Sequence, residues 1–204
     1  MSTGTSRTDA PARRRRRDPE RRERIMAAAA RLAAGRGFHT VGMAEIGAEA
    51  GIVGSGVYRH FDSKDAILLA LLDRGMSRLE DGATAVLARA GSDRETLSAL
   101  VRDHIAVVVV EYRAEMAVYH REVHTLPEEE RRALRRRQRH YVEEWVHVLA
   151  PLRRDLADGE LRLAVHAAVG AIQSTLFYRS GVPAERLTTL LGTIAHASLG
   201  VDPH

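Results

Sequence analysis

The densest run of chemically capable side chains is "GIVGSGVYRHFDSK", residues 51–64. Three small residues, Gly54, Ser55 and Gly56, lead into Tyr58, Arg59 and His60, and Lys64, the only lysine of the protein, follows. Small residues at the start of a helix let backbone N–H groups and the positive helix end approach a phosphate. Tyr58 offers a hydroxyl to a phosphate and a ring face to a thymine methyl. Arg59 offers a fork that fits phosphate or the O6/N7 edge of guanine, and Lys64 a point charge that fixes register. The shared chemistry is recognition of a nucleic acid. The competing reading makes Tyr58 a lid on a small core with its hydroxyl outward.

A second constellation is His120 and His124, four residues apart with Glu122 between them, a spacing at which two imidazoles on one helix face reach one metal. Arg121 stands where the zincin order puts glutamate directly after the first histidine. A metal-dependent hydrolase using His120 and His124 is the alternative function, and a copurifying zinc would distinguish it. No nucleophile motif, phosphate loop or dinucleotide fingerprint occurs, so no cofactor is expected.

The elements that must position these residues are helical. Asp18-Pro19 supplies a helix start, and Ile25, Ala28, Ala29 and Leu32 form a stripe that ends at Gly35 to Gly37. Gly42, followed three residues later by Glu45, opens a short second helix that stops at Gly51. A tight turn leads to a third helix with Val57 and Phe61 buried and Ser55, Tyr58, Arg59 and His60 facing outward. Asp62 or Ser63 caps a fourth that runs to Gly91. Leu97, Leu100, Val101, His104, Val108, Tyr112, Met116 and Tyr119 recur at spacings of one, three and four, so residues 107–110 read as helix despite their β-branching. Pro127 begins another helix with stripe Leu134, Tyr141, Trp145 and Val148. Two final helices, residues 161–179 and 183–199, are split at Gly181. No alternating strand pattern occurs, and the fold class is all-α.

Composition narrows the class. At 204 residues and 45% hydrophobic the chain sustains a packed core, and it has no cysteine for a disulfide or thiolate site. Its longest apolar runs fall well short of the about 20 residues of a membrane span. With no apolar segment after the basic N-terminus, the expectation is a cytoplasmic protein. Residues 1–24 carry a net charge of +5 and the remainder −1, so the basic character is an arm. Residues 1–17 read as disordered, residues 18–65 as a helix-turn-helix DNA-binding head, and residues 66–204 as a ligand-binding and dimerisation part. The five arginines at 13–17 fit either a solubilising tail or phosphate and narrow minor-groove contacts.

The segment "GFHTVGMAEIGAEAGIVGSGVYRHFDSKDAI", residues 37–67, resembles the TetR family of transcriptional regulators. Glycines, aromatics and the lysine all fall at the family's offsets. The resemblance implies DNA contacts from Tyr58, Arg59, His60 and Lys64, with Gly54 and Ser55 at the front of the recognition helix. Three departures stand out. Val41-Gly42 replaces a Thr-Thr/Ser step, Val53 replaces a capping serine, and Gly56 replaces Thr or Ala, which together imply a different operator and a recognition helix that orders fully only on DNA.

In the family the C-terminal helices bind a small-molecule inducer and the last two helices form a four-helix dimer interface. On that basis the pocket residues are His104, Val108, Tyr112, Met116, Tyr119, His120, Trp145 and Phe177, each of which also reads as plain core. The interface residues are Val165, Ala168, Ile172, Leu187, Leu190, Leu191 and Ile194, with an ordinary internal core as the alternative. A two-fold dimer would set its recognition helices about 34–36 Å apart, matching a palindromic operator. The block from Tyr119 to Trp145 looks similar to regulators of lipid or acyl-CoA catabolism. Its six arginines between 131 and 139 are either a solvated face paired with Glu128 to Glu130 or a phosphate site for a coenzyme A thioester. The expected function is a ligand-responsive repressor, not an enzyme.

Overall fold

The computed structural model describes residues 19–52, 54–89, 91–178 and 180–203. The arm at 1–17, the cap expected at Asp18, and Val53 lie outside the described residues. Helix α1 (Pro19–Arg36) opens on proline, whose missing N–H costs nothing in a first turn, and buries Ile25, Ala28, Ala29 and Ala33. Helix α2 (Met43–Glu49) starts after Gly42, whose N–H donates to Glu45 Oε2 at 3.4 Å. Gly51, at φ +67°, ends it in a backbone state that favours glycine.

The expected third α-helix is instead a 3-10 segment, Gly54–Arg59. Two glycines weaken an α-helix by about 1 kcal/mol each, and Ser63 already caps the next helix, its Oγ accepting from the Ala66 N–H at 3.1 Å. The tight segment also packs closely: a Cβ on Gly56 would meet Ile52 Cγ2 at 2.5 Å. Gly56 therefore serves the fit of the turn against Ile52. Helix α3 (Lys64–Leu87) leads out of the head and buries Ile67, Leu71, Leu72 and Met76.

Helix α4 (Asp93–Ile105) is capped by Ser92, whose Oγ accepts from the Glu95 N–H at 3.3 Å while Glu95 accepts from the Ser92 N–H at 2.8 Å. The single helix expected through Tyr119 is interrupted. Ala106–Glu111 widens into a π-helical segment, Tyr112 leaves helical geometry at φ −122°, and α5 (Arg113–Glu122) begins afresh. Four consecutive valines crowd one another across an α-turn, and three of them, Val107, Val108 and Val109, are buried there.

Helix α6 (Glu128–Leu149) follows Pro127. Helix α7 (Asp158–Gln173) ends in a 3-10 turn at Ser174–Leu176, earlier than expected, and α8 (Ala184–Leu199) completes the chain. Gly181, φ +67°, turns the connection between α7 and α8, and Gly200, φ +64°, caps α8. Among the described residues there is no strand, in keeping with the all-α reading, and no helix is long and apolar enough to cross a membrane. Helix α1 of the head packs on α3 and α5. Helices α7 and α8 pack chiefly on each other, and Trp145, Leu149, Val165 and Ile172 are fully enclosed.

Candidate functional site

Two regions carry the residues singled out by the sequence. In the head, Tyr58 is 56% exposed and Arg59 and Gly42 are exposed, while Val57 and Phe61 on the same segment are buried. The backbone of Gly54 and Ser55 forms the front of the 3-10 segment.

His60 departs from expectation. It is turned inward, 8% exposed, because its place between Val57 and Phe61 puts it against the core, and its carbonyl accepts from Arg22 at 3.3 Å.

Lys64 departs further. Its ammonium donates to the carbonyls of Phe38 (3.2 Å), His39 (2.9 Å) and Val41 (3.2 Å) and stands 5.4 Å from the Phe38 ring centre. These carbonyls belong to the 3-10 turn Phe38–Thr40 and its cap, where a helix end leaves acceptors unmatched. A compact group with three donors on a cone suits three converging carbonyls, whereas the planar arginine fork does not. Lys64 thus closes the junction from inside, in place of the phosphate contact expected of it.

The same junction joins the head to α5. Glu122, buried at the end of α5, accepts from the Phe38 N–H at 3.0 Å and lies 3.2 Å from His39 Nε2, and Arg121 donates to the Ala34 carbonyl at the end of α1 at 2.8 Å. Arg36 pairs with Glu45 across the turn.

The second region is a cavity of about 220 Å³ enclosed by α3 to α7. Its wall comprises Met76 and Leu79, then His104, then Met116, Tyr119 and His120, then Gln138, Tyr141 and Val142, and finally His166, Val169, Gly170 and Gln173. The Tyr141 hydroxyl and His104 Nδ1 are hydrogen-bonded at 2.8 Å, and the Trp145 ring meets His104 edge-on at 5.8 Å between centres. Burial, with the neighbouring His120 adding to it, pulls the His104 pKa down to about 3. Burial also lowers that of His120 and raises those of Tyr119 and Tyr141. The two imidazoles are therefore neutral and the two phenols protonated near neutral pH.

Of the expected pocket residues, His104, Met116, Tyr119 and His120 line this cavity. Val108 faces the core, fully buried within the π-helical segment, and Tyr112 packs under the Arg74 guanidinium, 5.6 Å from its ring centre. Trp145 stands behind His104, and Phe177 is 58% exposed, past the early end of α7, with only its edge toward His120 at 5.9 Å. Gln138, Tyr141, His166 and Gln173 were missed. Tyr141 carried the signal: it shares a helix stripe with Trp145, and Gln138 stands one turn before it.

His120 and His124 do not converge. The helix ends at Glu122, His124 sits exposed on the 3-10 turn Val123–Thr125, and His120 points into the cavity. Among the described residues no group of three metal-ligating side chains is close enough to hold an ion.

Within the α6 arginines, Arg131, Arg132 and Arg135 converge on Glu128, and Arg137 holds Glu80 at 2.9 Å and also pairs with Asp73. On α7 and α8, Val165, Ala168, Ile172 and Leu191 face the core of their own chain, Leu187 is half-buried, and Leu190 and Ile194 are exposed. The apolar stripe expected at an interface is thus largely the intramolecular α7–α8 seam. The outward strip is Leu163, Ala167 and Gly170 with Leu190 and Ile194.

Residues 25–71 match the family described as bacterial regulatory proteins, tetR family, and residues 90–176 match the tetracyclin repressor-like C-terminal domain. The chain belongs to the TetR family. That membership places it among regulatory proteins and outside the hydrolase alternative. Over 82 residues it is 37% identical to the HTH-type transcriptional activator FasR of Mycolicibacterium smegmatis, covering 40% of this chain and 37% of that one. Over 85 residues it is 34% identical to the HTH-type transcriptional regulator BetI of Rhizobium meliloti, covering 42% of each. The chain thus spans about two-fifths of the length of these curated relatives. Its fold resembles that of AibR, solved in complex with isovaleryl coenzyme A and operator DNA, at 23% identity and a TM-score of 0.72, covering 85% of this chain and 97% of AibR.

Proposed function

We propose that the chain is a DNA-binding transcriptional regulator of the cytoplasm, a homodimer that reads a palindromic operator with residues 18–65 and responds to a small effector held by residues 66–204. The observation that carries this reading is the exposure of Tyr58 and Arg59 on a rigidly closed turn-helix head within the part matched to the tetR family. Gly42 and Gly54 to Gly56 are read as further DNA-contacting positions, the first opening α2 and the others preceding Tyr58. We read the direction as repression, with release on effector binding. The outward strip of Leu163, Gly170, Leu190 and Ile194 supports the dimer, because small and apolar residues there allow close helix approach.

An acyl-CoA effector is the finer reading, favoured by the coenzyme A thioester on AibR. The cavity has room for a short acyl group, with the nucleotide left outside.

The test is fluorescence anisotropy against DNA from upstream of the protein's own gene over a salt series, with Tyr58→Ala and with residues 1–17 removed. The reading expects sequence-specific binding that Tyr58→Ala abolishes, and a shallower salt slope without the arm. Equal affinity for all fragments would overturn it.

A further inference from the structure

Three buried polar atoms on the wall of the α3–α7 cavity have no hydrogen-bond partner within the protein: Nε2 of His104, the hydroxyl of Tyr119 and Nε2 of His120. His104 is fully buried and Tyr119 is 6% exposed, so neither is simply turned to bulk solvent. Each unmatched buried polar atom is a cost to stability. Three such costs on one wall are relieved by a ligand that supplies the missing partners.

We infer that the cavity takes a compact, uncharged molecule whose hydroxyl or carbonyl group is recognised by His104, Tyr119 and His120, with its hydrocarbon part against Met76, Leu79 and Met116. The inference rests on reading the cavity as the effector site and names the chemistry of that effector.

Three observations set the class. No carboxylate, lysine or arginine side chain lines the cavity, so an ionised carboxylate or phosphate finds no permanent counter-charge there. Burial keeps both imidazoles neutral. Arg137, whose field reaches the Tyr119 hydroxyl, is tied to Glu80, Asp73 and Ser77.

The hydrogen-bond pattern sets the functional group. When the Tyr141 hydroxyl donates to His104 Nδ1, Nε2–H is a donor into the cavity; when it receives, Nε2 is an acceptor. A carbonyl satisfies the first state and a hydroxyl satisfies both.

Size sets the rest. About 220 Å³ exceeds the ~150 Å³ of an engineered cavity that takes benzene and lies below the ~300 Å³ at which drug-sized pockets begin. A single ring or a short branched chain fits. The neutral carbonyl could arrive on a free small molecule or at the acyl end of a thioester.

The test uses the full chain and four probes: 4-methylpentan-2-one, its alcohol, isovalerate and isovaleryl coenzyme A. Isovalerate matches the ketone in shape but carries a charge. Trp145, the sole tryptophan, reports binding through its contact with His104, and saturation-transfer NMR gives a second reading. The expected result is that the ketone and alcohol bind at pH 8, that isovalerate binds at least about tenfold more weakly, and that Tyr119→Phe, with unchanged melting, weakens the ketone by about 5–10-fold. Competition between ketone and thioester assigns the acyl source, and ketone binding alone assigns the free molecule. The inference is overturned if isovalerate binds as tightly as the ketone, if both Tyr119→Phe and His120→Phe leave the ketone affinity unchanged, or if no neutral probe binds up to about 10 mM.

Operator anisotropy separates the two levels. Ketone binding that leaves operator occupancy unchanged overturns the effector reading and keeps the ligand class. Operator release by isovalerate keeps the effector reading and overturns the class.

Discussion

At the Phe38–Thr40 junction Lys64 closes three carbonyls and Glu122 receives the Phe38 N–H, while in the cavity the Nε2 atoms of His104 and His120 and the Tyr119 hydroxyl have no partner in the protein. Polar groups in the first region hold the chain together. In the second they are kept at a cost to stability, which is where recognition of another molecule is built. The difference teaches that polar-to-apolar substitutions should have opposite signs in the two places.

The largest expected effect breaks the head. Lys64→Met takes a donor from three carbonyls, of which Phe38's keeps the Val41 N–H, and should lower stability by about 2–4 kcal/mol in urea unfolding, with operator affinity falling while a cavity ligand still binds. Lys64→Arg should recover only part of this, because its planar fork cannot serve three carbonyls on a cone. Full rescue by arginine would show that charge alone matters there.

Next comes acid. The His104 pKa, about 3 in the folded chain, lies below its unfolded value of about 6.5. As pH falls below about 6.5 the unfolded state takes up the proton first, so stability declines by about 1.4 kcal/mol per pH unit for this one group. Glu45, Glu95, Glu143 and Asp155, whose pKa values are lowered chiefly by hydrogen bonds, add their loss only below about pH 4.5. Replacing His104 and Tyr141 together by Phe should flatten the slope between pH 6.5 and 5, measured by urea unfolding, without destabilising at pH 8. An unchanged slope would place the titration elsewhere.

Tyr58→Ala should cost about 1–3 kcal/mol in operator binding and under about 0.5 kcal/mol in stability, since the ring is largely exposed. A melting shift of several degrees would return Tyr58 to the role of core lid. The smallest effect is Tyr119→Phe, which removes an unpartnered hydroxyl and should leave thermal unfolding unchanged or raise stability by up to about 1 kcal/mol.

Much of this was legible before the structure. The helices announced themselves through caps and stripes, and the head through glycines, aromatics and a lysine at the family's offsets. Lys64 was misread because its partners are backbone carbonyls 23–26 residues away, and carbonyls leave no mark in a side-chain pattern. The interface was misread because apolar periodicity at Val165, Ala168 and Ile172 states that a face is covered and not by what. Half of the cavity was legible because His104, Met116 and Tyr119 recur at helical spacings along the apolar pattern of α4 and α5. The other half comes from α6 and α7, whose approach is a matter of tertiary packing. Arg131 and Arg132 follow the ordinary rule of helix-surface pairing with Glu128, whereas Arg137 reaches Glu80 and Asp73 on α3.

The π-helical segment Ala106–Glu111 has a consequence in angular phase. His104 and Met116 stand twelve residues apart, which on an unbroken α-helix leaves them about 120° out of phase. Both nonetheless line one cavity, because the wider turn and the break at Tyr112 reset the phase between α4 and α5. The valine run is therefore the register mark of the cavity. A single-residue deletion within it would rotate Met116, Tyr119 and His120 away from His104, and would also rotate Arg121 and Glu122 away from the end of α1, detuning both regions through one missing residue.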